Sequence, residues 1–148
     1  MARQAFDLVV VDAGRNIDLW RTDLFDPSST FYLVTQVGVP ELRNANRLIS
    51  QFAMRGCPKL EIVLNRYQAN HLELAEQHIT RALTRPAQWK VPNSYATVLR
   101  EQKTTIPIAQ EDSSIARVIH QMSRTAANLP MLVEKKRPFR IFQRAAAL

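Results

Sequence analysis

The sequence predicts an α/β fold built on an open, mainly parallel sheet of about four strands with helices on both faces. Three observations carry that prediction. Short unbroken runs of branched apolar residues, as in "FDLVVVD" and "LEIVLNRY", have the composition of strands covered on both sides. The segments between such runs place apolar residues at helical spacing. The two kinds of segment alternate along the chain, which implies right-handed crossovers between parallel strands.

Taken in order, "FDLVVVD" (6–12) reads as the first strand, and the short stretch 17–26 has room for a helix capped by Asn16 or Asp18. "TFYLVTQ" (30–36) is the second strand. Pro40 then stands where a helix begins, and Leu42, Ala45, Leu48, Ile49 and Phe52 follow at helical spacing until Gly56 stops the run. "LEIVLNRY" (60–67) is the third strand. A helix over 71–84 follows, with Leu72, Ala75, Ile79, Ala82 and Leu83 turned inward. "AQWKVPN" (87–93) is a shorter fourth strand ended by Pro92. A helix near 94–102, a loop with Pro107 and a last helix near 113–128 complete the map, the last with Ile115, Val118, Ile119 and Met122 as its apolar stripe. Residues 1–130 form one α/β domain in this reading, and 131–148 a basic tail.

Composition agrees with a folded chain. Of 148 residues, 46% are apolar and 22% charged, far from the charge-rich profile of disorder, and a chain of this length buries enough surface for a core of its own. The single cysteine, Cys57, has no disulfide partner and no set of metal ligands around it, which predicts a buried, inert thiol in a reducing compartment. The start "MARQAFD" lacks a signal-peptide pattern and no run is long enough to span a bilayer. A cytoplasmic location is expected. The net charge of +7 is uneven: residues 134–148 hold Lys135, Lys136, Arg137, Arg140 and Arg144 against Glu134, so more than half of the excess lies in the tail. No specific nucleic-acid partner is expected from a basic tail on a nearly balanced domain.

In sheets of this kind ligands bind beyond the carboxyl ends of the strands. The candidate positions are therefore Asp12 to Asn16, Gln36 to Pro40, Asn65 to Tyr67 and Pro92 to Tyr95. An aspartate at the end of an apolar strand is how nucleotide hydrolases hold a magnesium-bound water, because the strand fixes the carboxylate. The same residue, in "DAGRN", also suits an Asx turn, and both readings stand. A phosphate cradle is absent from the sequence: Gly14, Gly38 and Gly56 are the only glycines, and none belongs to a G-x-x-x-x-G-K-[ST] or G-x-G-x-x-G pattern. His71, His78 and His120 have no metal spacing, and His71 and His78 suit a solvated helix face. No catalytic Ser or Cys arrangement is present. In the tail, Phe139, Ile141 and Phe142 sit among the basic residues, a pattern that suits either an anionic membrane surface or a solvated end.

"FDLVVVDAGRNIDLW", "YLVTQVGVPELRNANRLI", "EIVLNRY" and "VPNSYATVLREQKTTIPI", four motifs in order over residues 5–128, resemble the second half of MinD/ParA-type P-loop ATPases, most closely the CpaE/TadZ family of Flp (Tad) pilus assembly. The resemblance implies that Asp12 matches the Walker B aspartate, reaching the metal through water, and that Gly14, Arg15 and Asn16 begin the switch that senses the γ-phosphate. It gives Asn65 to adenine recognition and Pro92 with Asn93 to the segment that closes over the base. It implies ATP and Mg2+ as cofactors, a homodimer that acts as a positional switch, and other pilus-assembly or secretion proteins as partners. Lys135, Lys136, Arg137, Phe139, Arg140, Ile141 and Phe142 are similar to membrane-targeting tails and imply a peripheral place at the inner membrane.

The departures bear on activity. The half with the glycine-rich loop and its lysines is missing, as is the receiver-like domain of many relatives, and Thr105 stands where relatives often have glycine. In the family's sheet the phosphate-loop strand lies between the strands at 7–12 and 31–35. Those two must therefore pair directly, or take a partner between them, or leave an edge open to association. The expectation is an ATPase fold that does not hydrolyse ATP on its own, nor bind it well. The alternative is a non-enzymatic docking module that self-associates or binds a partner and the membrane surface. A receiver-like phosphoacceptor domain would want an acidic pair at the first strand and a late lysine, which the sequence does not offer.

Overall fold

In the computed structural model, residues 5–14, 26–57, 59–68, 76–104 and 106–131 are described. Their centre is a three-stranded parallel sheet in the order β1 (Phe31–Thr35), β2 (Leu60–Tyr67), β3 (Trp89–Pro92). Helix α1 (Val39–Met54) links β1 to β2, and α2 (Glu76–Leu83) precedes β3. Beyond the sheet come α3 (Tyr95–Thr104), a single 3-10 turn at Ile108–Gln110 and α4 (Ser114–Ala126). The α/β class, the parallel sheet and the alternation match the sequence reading.

Each boundary has a local cause. Pro40 lies in the first turn of α1, where its missing N–H costs nothing. The helix ends because Gly56 adopts φ +65°, letting its own N–H reach Ala53 O and the Cys57 N–H reach Phe52 O, both at 3.0 Å. That pair of bonds is the Schellman closure glycine favours. Asn128, at φ +53°, closes α4 by the same pattern onto Thr125 and Arg124, and Ser113 opens it by accepting from the Ala116 N–H at 3.1 Å.

Packing follows the periods. Leu42, Ala45 and Ile49 of α1 meet Ile79 and Leu83 of α2 over Ile62 and Leu64 of β2, and these seven form the main core. Two crossovers of one hand that advance in one direction leave both helices on one face, which is why α1 and α2 touch. The opposite face of β2 presents Glu61 and Val63, also buried, and α4 packs against β3. Leu48 is only half-buried and Ala82 is exposed, because the core-facing stripe of each helix is narrower than the spacing suggested. Cys57 is half-buried rather than buried, since it falls in the turn after α1.

The first predicted strand is a correction. Residues 8–14 adopt no regular structure, and Phe6, Leu8, Val9, Val10 and Val11 are all exposed, Val10 by 87%. A strand needs a ladder on at least one edge, and among the described residues nothing pairs with this run. The outer edge of β1 is likewise unpaired among the described residues, and its Val34 is 58% exposed. Of the three ways to treat the gap between 7–12 and 31–35, direct pairing is therefore not the one adopted. The predicted helix at 17–26, the start of the helix at 71–84 and the tail lie outside the described residues.

Candidate functional site

The carboxyl ends of β2 and β3 bring one predicted pair of segments together. Parallel pairing sets Leu64 beside Lys90 and Tyr67 beside Pro92, with an irregularity between the two pairs. The irregularity is a bulge at Asn65 and Arg66, where Arg66 takes φ +53°. Asn65 holds that conformation, its Oδ1 accepting from the Arg66 N–H at 2.9 Å. With the carbonyl occupied, the amide keeps its two N–H donors, the part of an Asn that suits an acceptor nitrogen of a purine. Across the ladder the Asn93 N–H donates to Tyr67 O at 3.1 Å, extending the sheet by one bond past Pro92. Asn65, Pro92 and Asn93 therefore share one end of one sheet.

Lys90, which sequence reasoning passed over, stands in the same place beside Tyr67, one of the candidate positions. The Lys90 ammonium lies 5.2 Å from the centre of the Tyr67 ring and pairs with the Glu76 carboxylate at the start of α2. A lysine inside a short strand was the available signal, because a strand so placed rarely carries a charge without a partner. Ser94, next after Asn93, bonds its hydroxyl to that of Thr97 at 2.8 Å and leads the chain into α3.

The metal side is different. Asp12 is exposed, and its Oδ1 accepts from the Gly14 N–H at 3.0 Å, with Gly14 at φ +58°. This is the Asx turn that "DAGRN" also suited. Arg15 and Asn16 lie outside the described residues. Magnesium wants six oxygens in near-octahedral array, with one or two carboxylates supplementing substrate phosphates. Among the described residues no group of three or more His, Cys, Asp or Glu could hold a metal. One exposed carboxylate already engaged in a turn does not make a magnesium site.

Nor do the described residues cradle phosphate. The amino end of α1, after β1, is the natural place for an anion. Gly38 there carries no side-chain cap, but the Glu41 carboxylate of the first turn folds back onto Gly38 and fills the space above it. Negative charge supplied by the chain itself occupies the helix end and opposes a phosphate. Gly56, spent on ending α1, offers nothing either.

A second polar cluster lies on the other face of the sheet, unforeseen from sequence. Glu61, 7% exposed, accepts from Trp89 Nε1 at 2.6 Å and pairs with Lys59 at 3.0 Å. Tyr32 is its neighbour in register, with a buried hydroxyl that has no partner among the described residues. Burial raises the Tyr32 phenol above its ordinary value, and the Glu61 charge adds to the rise. Burial also raises the Cys57 thiol, against smaller opposing effects from the Lys59 backbone and Arg85. His78 is exposed on α2, as predicted, and the His120 Nε2 lies 2.7 Å from Ala109 O; His71 is outside the described residues.

No protein-family model and no curated protein matches the chain. Among solved structures it is similar to the crystal structure of a ParA family ATPase from Chlorobium tepidum TLS, with a TM-score of 0.53 and 19% identity over 61% of this chain. The match spans 39% of that chain's length. At that identity the likeness concerns the fold alone: the α/β architecture is ParA/MinD-like. Among the described residues no helix is long and apolar enough to cross a membrane.

Proposed function

We propose that the chain is the C-terminal portion of a ParA/MinD-type ATPase of the CpaE/TadZ branch, which positions or assembles a Flp-type pilus or secretion apparatus. It does not hydrolyse ATP by itself. The observation that carries this reading is the shared end of β2 and β3, where Asn65 with two amide donors lies beside Pro92 and Asn93. In this reading the base meets Asn65 and is covered by the Pro92–Asn93 segment. The triphosphate and Mg2+ would be held by a glycine-rich loop from elsewhere, with Asp12 serving only once that loop is present. A homodimer, other pilus-assembly or secretion proteins and an anionic inner-membrane surface are its partners, the last through Lys135 to Phe142.

Equilibrium dialysis tests the nucleotide part. The chain should bind adenosine and Mg-ATP with similar weak affinity, because the phosphates gain nothing, and Asn65→Ala should abolish both. Release of phosphate from ATP by the purified chain would overturn it. A fluorescent fusion in the native host tests the pilus part, which a diffuse signal with normal piliation on gene deletion would sink. Sedimentation with anionic vesicles, with and without residues 134–148, tests the membrane contact.

A second reading is favoured by the exposed run at 6–11 and the edge of β1 that no described residue pairs: a non-enzymatic docking module that uses these surfaces for a partner or a second copy. Nucleotide binding that Asn65→Ala removes favours the first reading. Concentration-dependent self-association without nucleotide binding favours the second.

A further inference from the structure

The positive charge of the folded domain is gathered on one face. Helices α1 and α2 lie side by side on the same side of the sheet, joined by the Thr84 hydroxyl, which donates to Asn46 Oδ1 at 3.3 Å. Arg43 and Arg47 stand one turn apart on α1, and Arg81 and Arg85 lie on and just after α2; all four are exposed. None has an acidic partner among the described residues. The two acids of these helices are engaged elsewhere, Glu76 with Lys90 and the Glu41 carboxylate against Gly38. The described residues hold twelve cations and nine acids, so without these four arginines the acids are in the majority. Neighbouring sequence does not offset them: residues 15–25 balance Arg15 and Arg21 against Asp18 and Asp23, and Glu73, the one acid in 69–75, precedes Arg81 by eight positions. Met54, 81% exposed, continues the outward stripe of Arg43 and Arg47 at helical spacing.

We propose that this α1–α2 face is a second contact with an anionic membrane surface, lying on the headgroups with its four arginines against lipid phosphates and Met54 entering the acyl boundary. The contact rests on the membrane part of the proposed function, which uses only the tail, and adds the domain itself to it. Three features select a leaflet among polyanions. Every cation is an arginine, whose planar fork meets a phosphate through two N–H donors. Both helices are packed on the sheet, so neither is free to enter a DNA groove, and their outer surface offers no aromatic ring on which bases could stack. Met54 gives the charged face an apolar point, the combination that lies in a membrane interface. Face and tail on one surface reinforce each other, because the first contact raises the effective concentration of the second.

Co-sedimentation of the full chain with mixed phosphatidylcholine and phosphatidylglycerol vesicles tests this, with pure phosphatidylcholine as the uncharged control. Each basic residue close to an anionic leaflet raises partitioning by about fivefold, so R43Q/R47Q/R81Q/R85Q should bind at least about tenfold more weakly. Its urea midpoint should not move, since the four side chains are exposed and without acidic partners among the described residues. Met54→Gln should weaken vesicle binding several-fold, a loss that charge alone does not produce. The variant K135Q/K136Q/R137Q/R140Q reports on the tail separately. Native-like binding by the arginine variant, with loss in the tail variant, would overturn the proposal and leave the tail contact standing. Loss in the arginine variant alone would support the face and remove the tail. Duplex DNA bound in preference to vesicles at equal ionic strength, and lost with the same four arginines, would assign the face to nucleic acid and overturn the membrane contact.

Discussion

Leu60–Leu64 and Leu8–Val11 are both short runs rich in branched apolar residues, yet Ile62 is wholly buried and Val10 is 87% exposed. Their surroundings differ, not their composition. The first lies between β1 and β3, with its backbone paired on both edges and helices α1 and α2 packed on its Ile62 face. The second has no ladder among the described residues, and its side chains from Leu8 to Val11 are 39–87% exposed. A branched run becomes a strand when neighbours satisfy its N–H and C=O groups, and intrinsic β-preference, a scale of about 1 kcal/mol, does not replace them.

The sharpest way to break that contrast is to shorten one side chain in each run. Ile62→Ala should cost about 2–5 kcal/mol, since it opens a cavity under α1 and α2. Val10→Ala should stay within about 0.5 kcal/mol. Urea unfolding of the two variants decides it, and equal losses would mean that the 6–12 run is covered in solution.

The next effect concerns polarity inside the sheet. Glu61→Leu strips the acceptor from Trp89 Nε1 and the partner from Lys59, and should cost about 1–3 kcal/mol for the indole N–H left without a partner. Thermal melts would show it. The loss should shrink when Trp89→Phe is added, because the donor then disappears with its acceptor.

The same contrast explains what was legible beforehand. β1, β2, β3 and the apolar stripe of α1 were readable because period and punctuation agree there: Pro40 starts the helix, Gly56 ends it, and Leu42, Ala45, Ile49 and Phe52 are all buried. The gathering of Asn65 with Pro92 and Asn93 was readable too, as a consequence of parallel topology. The 6–12 run misled because apolar content signals burial without saying by what. Glu61 and Lys90 were hidden for a related reason. Their significance lies in partners 14 to 29 positions away in sequence, which no local pattern records, as in Glu61 with Trp89 and Tyr32 and Lys90 with Glu76.

A smaller effect of opposite sign is expected at Tyr32. Its hydroxyl is buried without a partner among the described residues, so Tyr32→Phe should be neutral or stabilising by up to about 1 kcal/mol. The pH dependence follows from the raised phenol. The folded state holds that proton more tightly than the unfolded state, so the contribution is intact below the ordinary value of 10.0 and is lost as pH rises above it. Stability of the native chain should therefore fall more steeply above that pH than stability of Tyr32→Phe, as read by denaturant titration.

Asp12→Ala should also give only a small change. The exposed carboxylate makes one local bond to the Gly14 N–H, and its loss should cost less than about 1 kcal/mol. Magnesium should not alter the melting temperature of either form, because a ligand that binds only the folded state must raise it and the described residues gather no metal set. A magnesium-dependent rise in the native chain that Asp12→Ala removes would show the 6–14 segment acting as a metal arm. It would then be ordered in solution as the sheet is, and the contrast between the two apolar runs would narrow from its acidic end.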